Sequence, residues 1–255
     1  MRFQTLGQKG NKTVLCIPGM FCTSESCLPF ADLLKDEYYV ILPTLDGHYR
    51  GSEPLVGGME EAKKIVSYLQ QEKIESLEML HGTSMGAEIA LAVAAICNIP
   101  VKHFFFDGGP FFKFPKVVKF TMFKKFEGLM KKCHGKTEEE ALHDPFVKKL
   151  GGDDVEHFRG MVREFIQASE FVTKEDIKAV TEICYDCPLP SFKEETQKRF
   201  FFLFSKGEPA HMSKKRVHKN YPYAQYKDYP GNTHCGFQVS KPEQYAKFLK
   251  QVLKG

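Results

Sequence analysis

Short apolar runs alternate with longer helical patterns over the first 110 residues, and this alternation limits the fold more than any other feature. Four runs have the length of buried strands, at residues 13–17, 39–42, 77–80 and 103–106. The stretches between them have helical spacing, at residues 25–35, 59–71 and 85–97. Parallel strands need such long crossovers, so the sequence predicts an α/β fold with a mostly parallel, doubly wound sheet.

The alternation stops after residue 110 and returns near residue 193. Residues 111–192 have helical patterns without a convincing strand, and the clearest helices are expected at 154–170 and 173–185. Strand-like segments follow at 199–204 and 224–229, and a helical pattern ends the sequence. We therefore expect a core formed by residues 1–110 and 193–255, with a helical insertion at 111–192 before the penultimate core strand.

Composition excludes several classes of protein. The 36 Lys and Arg residues nearly balance the 32 Asp and Glu residues, and a net charge of +4 does not indicate a nucleic-acid partner. No stretch approaches the ~20 apolar residues of a membrane span. The first residues lack the apolar run of a secretory signal, so we expect a cytoplasmic protein with its eight cysteines reduced.

The segment Gly82-Thr83-Ser84-Met85-Gly86 fits the pattern Gly-x-Ser-x-Gly. It lies between a predicted strand and an Ala-rich predicted helix, which is the context that this nucleophile pattern requires. A serine at the tip of so tight a turn needs glycines on both sides, because side chains there would collide with the strand or the helix. A chance match is the alternative, since helices often begin at serine. We interpret Ser84 as a catalytic nucleophile.

With this pentapeptide in that context, the chain resembles the α/β-hydrolase family over most of its length outside residues 111–192. The resemblance implies an acid and then a histidine after the serine. His234, in a loop between the last predicted strand and the last helix, occupies the place of the family's base. Glu208 follows the strand at 199–204, where the family usually has an aspartate. Asp107, at the end of an earlier strand, is the alternative acid.

The resemblance also implies two backbone N–H donors for an oxyanion and a pocket above them. The residue after the nucleophile, Met85, supplies one donor, and Met20, in the loop after the first predicted strand, supplies the other. Phe21 is expected to line the pocket.

Residues 111–192 occupy the place where this family inserts a cap. The segment 111–126 interleaves phenylalanines with lysines. We weigh a packed, solvated helix, a lid in which Phe120 and Phe123 line an acyl pocket, and weak contact with a lipid surface.

The resemblance and the residues together predict a serine hydrolase that cleaves a small-molecule carboxylic ester with a small to medium apolar or aromatic acyl group. No metal or organic cofactor is implied, and the oligomeric state stays open. A thioesterase, an acyltransferase or a non-catalytic ligand-binding protein on the same fold are alternatives. The Cys184-Tyr185-Asp186-Cys187 spacing could indicate a redox or metal module, but a lone pair of cysteines favours structural thiols.

Overall fold

A seven-stranded sheet forms the centre of the computed structural model, which describes residues 1–152 and 155–254. The strands are β1 (Arg2–Leu6), β2 (Lys12–Ile17), β3 (Tyr38–Thr44), β4 (Leu77–Thr83), β5 (Val101–Asp107), β6 (Phe200–Ser205) and β7 (Gln225–Tyr229). Their order across the sheet is β1-β3-β2-β4-β5-β6-β7. Only the pairing of β1 with β3 is antiparallel among these neighbours. The predicted α/β class and mostly parallel sheet are confirmed.

Helices cover both faces of this sheet. They are α1 (Leu28–Ala31), α2 (Gly58–Gln71), α3 (Met85–Ile96), α4 (Lys116–Cys133), α5 (Glu138–Leu142), α6 (Pro145–Gly151), α7 (Arg159–Ser169), α8 (Lys174–Tyr185), α9 (Glu194–Gln197), α10 (Lys214–Asn220), α11 (Gly236–Ser240) and α12 (Pro242–Lys254). Helices α1 and α12 pack on one face, whereas α2 and α3 pack on the other. The doubly wound arrangement is therefore also confirmed.

Side chains alternate between the two faces along each central strand, and this alternation divides the core in two. In β2, Val14 and Cys16 pack with α1 and α12, whereas Leu15 and Ile17 pack with α2 and α3. All four side chains are fully buried. A strand covered on both faces needs apolar residues at consecutive positions, which explains the continuous apolar runs of the sequence.

Among the described residues, six α-helices, α4 to α9, follow β5 and precede β6, and α4 to α8 lie within residues 111–192. The described residues between 111 and 192 contain no strand, only an isolated bridge between Lys113 and Asp186. Helix α8 begins as predicted, with a capping box in which Thr173 and Asp176 satisfy each other's backbone N–H. The expected start of a helix at Asp154 lies outside the described residues, and α7 begins at Arg159. None of the described helices is long and apolar enough to cross a bilayer.

Two local features differ from the sequence prediction. Strand β1 was not predicted, because an edge strand that is half exposed lacks an apolar run. Strand β3 continues through Pro43 to Thr44, beyond the predicted end of this strand at residue 42. Pro43 lies beyond the last residue paired with β2, so its missing N–H interrupts no bond to that neighbour.

His81, in the middle of β4, should make the stability of the fold depend on pH. It is fully buried, Nε2 lies 2.7 Å from the Tyr245 hydroxyl, and burial lowers its pKa to about 3. An unfolded histidine binds a proton below about pH 6.5. Between pH 6.5 and 3 the unfolded chain thus binds more protons, and stability falls as the pH falls. Between pH 7 and pH 5, we expect the free energy of unfolding of His81→Gln to fall by about 2 kcal/mol less than that of the wild type.

Urea unfolding at the two pH values measures this difference. His143→Gln, at an exposed position, is the matched control and should leave the pH dependence as in the wild type. An unchanged loss in His81→Gln would show that other groups cause the acid destabilisation.

Candidate active site

Ser84 occupies a sharp turn between β4 and α3. Its backbone has φ 52° and ψ −123°, a conformation that costs a non-glycine residue free energy. A Cβ on Gly82 would lie 2.3 Å from the Gly86 carbonyl oxygen, and a Cβ on Gly86 would lie 2.3 Å from the Ile17 carbonyl oxygen. Both glycines are therefore required for the strand, the turn and the helix to pack this closely.

His234 reaches the serine from the loop between β7 and α11. Its Nε2 lies 2.8 Å from Ser84 Oγ, the distance of a good hydrogen bond. The imidazole is buried, at 8% exposure, although the two residues are 150 positions apart in the chain. The structure thus brings together the two residues that the sequence analysis assigned as nucleophile and base.

Glu208 lies on the other side of the imidazole. Its Oε2 is 2.6 Å from His234 Nδ1 and also accepts a hydrogen bond from the Cys235 N–H at 3.1 Å. Its Oε1 accepts from the Ser205 N–H at 2.7 Å. These contacts give both carboxylate oxygens hydrogen-bond partners although the side chain is almost fully buried. Ser205 and Cys235 contribute through their backbones, so no side-chain pattern in the sequence could reveal them.

Asp107, the alternative acid, does not contact His234 in the described hydrogen bonds. Its Oδ2 accepts from Gln238 Nε2 at 3.1 Å, and its side chain is 1% exposed. Burial, together with the nearby charge of Glu208, raises the pKa of Asp107 well above its usual value. These contacts suit a structural role, and the Asp107 carbonyl oxygen accepts the Ser84 N–H at 2.7 Å.

The two expected oxyanion donors flank the serine. Met85 is the first residue of α3, and the first N–H groups of a helix have no acceptor within it. Met20 follows Gly19, where an added Cβ would lie 3.3 Å from the Ser84 Cβ. Met20 also lines the same cavity as Ser84 and His234. Their oxyanion role stays a prediction that this arrangement permits.

The insertion holds the histidine loop directly. The His234 N–H donates to the Leu150 carbonyl oxygen at 2.7 Å, and Thr233 Oγ1 donates to the Gly151 carbonyl oxygen at 2.8 Å. Both acceptors belong to the last turn of α6. This contact was not predicted, because backbone carbonyls carry no signal in the sequence.

A cavity of about 540 Å³ opens at Ser84 and His234. Its wall is mainly apolar and comes largely from the insertion, with Phe112, Phe114 and Phe146 among the lining residues. A lining of this kind is typical of small-molecule sites.

The three predicted pocket residues do not line this cavity, which corrects the expectation. Phe120 and Phe123 line a separate groove between α4 and α8, and Phe120 is 61% exposed. Leu129 lines the cavity from one face of α4, whereas Phe120 and Phe123 lie on a different face of this helix. Phe21 is 1% exposed and packs edge-on against Phe126, which joins the insertion to the core. Lipid contact through residues 111–126 stays a prediction.

The cysteines do not form a separate site. Cys184 and Cys187 are buried, and burial raises the pKa of both thiols well above the usual value. In the part of the chain that the structure describes, one cluster has metal-type ligands within 4.8 Å of one another, Glu208, His234 and Cys235. Glu208 and His234 already bond to each other, and burial raises the pKa of the Cys235 thiol, so a metal site is not favoured here.

Several solved structures are similar to this chain over nearly its whole length. An α/β hydrolase family protein from Desulfitobacterium hafniense has a TM-score of 0.76 at 19% identity, covering 99% of this chain and 100% of its own. A thermophilic esterase from Thermogutta terrifontis has a TM-score of 0.71 at 17% identity, covering 99% and 92%. An enol-lactonase from Burkholderia xenovorans has a TM-score of 0.76 at 12% identity, covering 100% and 96%.

No protein-family model matches the sequence, and the search of curated proteins found no match. The similarity to solved structures therefore carries the classification. The chain has the α/β-hydrolase fold.

Substitution of the two candidate acids should separate their roles. We expect Glu208→Gln to lower kcat strongly, by up to about 10⁴-fold, because the imidazole would lose its anionic partner and its required tautomer. Asp107→Asn should lower kcat by less than about tenfold, since Asp107 does not bond to the imidazole and its amide keeps a similar shape. Steady-state hydrolysis of a p-nitrophenyl ester measures both. The opposite ranking would assign the acid to β5.

Proposed function

We propose that this protein is a serine hydrolase that cleaves a small-molecule carboxylic ester with a small to medium apolar or aromatic acyl group. One observation carries the proposal: a continuous hydrogen-bonded line runs from Ser84 through His234 to Glu208, with distances of 2.8 and 2.6 Å. These residue types in this order can activate a hydroxyl for attack on a carbonyl carbon. The esterases among the similar structures add support.

In the proposed reaction Ser84 Oγ attacks the ester carbonyl carbon, and its proton passes to His234 Nε2. Glu208 stabilises the resulting imidazolium, and the Met20 and Met85 N–H groups hold the oxyanion. Collapse of the intermediate breaks the bond to the alcohol, which leaves with the proton from Nε2. Water then attacks the acyl-enzyme by the same steps and releases the acid and free Ser84.

The cavity supports an apolar acyl group, because aromatic residues of the insertion line the same cavity as Ser84. Thioester hydrolysis or acyl transfer would use the same triad, and a panel of oxygen esters, thioesters and acceptor alcohols distinguishes these reactions. A non-catalytic binding protein would have an unactivated serine. Covalent labelling therefore discriminates between that alternative and every catalytic one.

Ser84→Ala should abolish labelling by a fluorophosphonate probe and lower esterase kcat by about 10⁴- to 10⁶-fold, because the attacking oxygen is lost. Ser24→Ala is the matched control, since Ser24 is 5% exposed against 6% for Ser84 but does not line the cavity. It should label and turn over as the wild type does. Labelling that survives in Ser84→Ala would place the reactive group elsewhere, and an unlabelled wild type would favour the non-catalytic alternative.

We expect a sharp upper limit to the length of the ester acyl chain that the protein accepts, and we expect the open space beside Gly128 to contribute to that limit. Gly128 lies within α4 and lines the cavity, and a Cβ there would meet nothing within 4 Å. For p-nitrophenyl esters kcat/KM should rise about fourfold per methylene, from ~0.8 kcal/mol of burial, until the cavity is full. We expect Gly128→Leu to shorten the optimal chain by one or two carbons, because the new side chain occupies this space.

Gly160→Leu is the matched control for this substitution. Gly160 is also a helical glycine with open space around its Cα, but it does not line the cavity at Ser84. The chain-length profile should be unchanged in it. An equal profile in Gly128→Leu would show that acyl chains do not enter this cavity.

A further inference from the structure

The wall of the active-site cavity contains four lysines as well as its apolar residues. They are Lys124, Lys125, Lys132 and Lys149, and Asp144 is the one carboxylate in the described lining. All four lysines are exposed, so their ammonium groups stay in contact with water. The cavity therefore combines an apolar interior with a strongly cationic wall.

Helix α4 carries three of these lysines, and two of them, Lys125 and Lys132, lie on the helix face that contains the apolar lining residues. Met122, Lys125, Leu129 and Lys132 recur every three or four residues, the spacing of one helical face, and all four line the cavity. The neighbouring Lys131 does not line it. The two cations thus share a helix face with the apolar wall of the cavity.

Helix α6 contributes the fourth lysine, Lys149. Lys149 precedes Leu150, whose side chain lines the cavity and whose carbonyl oxygen accepts the His234 N–H at 2.7 Å. The adjacent Lys148 does not line the cavity. Lys149 is therefore carried by the segment that also holds the catalytic histidine.

Two of the four charges are already paired. Lys124 Nζ lies 3.0 Å from Glu127, and Lys132 Nζ lies 2.9 Å from Asp144. Asp144 also accepts the Phe146 N–H at 2.8 Å as the cap of α6. Lys125 and Lys149 make no ion pair or hydrogen bond with any residue of 1–152 or 155–254. Among the described residues, these two lysines therefore have no ionic partner, and they line the same cavity as Ser84.

We propose that the substrate is an amphipathic ester whose acyl group ends in an anionic group, such as a carboxylate or a phosphate, that Lys125 and Lys149 bind. A neutral apolar ester would use the aromatic wall but gain nothing from these cations. An anionic end would gain from both, and the positive wall would also raise its rate of encounter. This inference rests on the proposed esterase activity and narrows its substrate class.

A pair of esters of nearly equal size tests the proposal. The p-nitrophenyl monoester of adipic acid carries a terminal carboxylate, whereas p-nitrophenyl heptanoate carries an ethyl group in its place. We expect kcat/KM to be about two- to fivefold higher for the anionic ester per lysine that binds it, the strength of an exposed ion pair. The preference should decline in 1 M salt, where the Debye length is only about 3 Å.

The double variant Lys125→Gln, Lys149→Gln should bring the ratio of the two kcat/KM values close to one. Lys131→Gln, Lys148→Gln is the matched control, because it removes the same charge from the same two helices outside the cavity. The control should keep the wild-type ratio. A ratio that starts at one, or that falls equally in both double variants, would overturn the proposal.

Calorimetric binding to Ser84→Ala separates this inference from the proposed function. If the adipate monoester binds Ser84→Ala more tightly than the heptanoate ester, and the lysine variants remove the difference, the anionic site stands even without turnover. If the wild type cleaves both esters equally, the esterase proposal stands and the anionic site fails. Activation of heptanoate hydrolysis by phosphatidylserine vesicles, lost in the Lys125 and Lys149 variant, would assign the lysines to a lipid surface and overturn the proposal.

Discussion

The close packing of β4, the turn at Ser84 and α3 is the constraint on which the rest of the site depends. The strain at Ser84, on the order of 1–3 kcal/mol, persists only because the surroundings fix this backbone. Gly82 lies against the start of α3, Gly86 lies against the end of β2, and the Ser84 N–H bonds to the Asp107 carbonyl oxygen at 2.7 Å. Three neighbouring strands thus hold one hydroxyl in position. The proposed nucleophile has this geometry only where these strands pack together.

The sequence predicted what is encoded locally and missed what tertiary packing decides. Ser84 and the apolar strands were predictable because residue type, turn chemistry and strand length coincide within a few positions. The half-exposed β1 was not, since its pairing with β3 depends on residues about 40 positions away. Phe120 and Phe123 were assigned to the pocket because the pattern shows that α4 is amphipathic but not which face its partners cover. Phe21 was assigned to the pocket although its ring packs against Phe126, a contact between distant segments that the sequence does not show.

Two buried carboxylates, Asp107 and Glu208, lie at the ends of neighbouring strands, and their surroundings give them different roles. Glu208 accepts hydrogen bonds from two backbone N–H groups and contacts the imidazole of His234. Asp107 has an amide partner in Gln238, and burial raises its pKa. The nearby negative charge of Glu208 adds to this rise in the pKa of Asp107. The sequence predicted both residues as candidate acids but could not distinguish them, because two of the hydrogen-bond donors to Glu208 are backbone groups.

The insertion positions the proposed base as well as forming a wall of the cavity. Leu150 and Gly151 accept hydrogen bonds from the loop that carries His234, so the imidazole is positioned from two sides. Glu208 fixes Nδ1 from the core, whereas α6 fixes the backbone from the insertion. Loss of the α6 acceptors would leave buried N–H and hydroxyl groups without partners and free the loop to move. A displacement of about 1 Å at the base can cost 10²-fold in rate. Helix α6 also carries Lys149, so the segment that positions the proposed base also contributes a positive charge to the wall of the cavity.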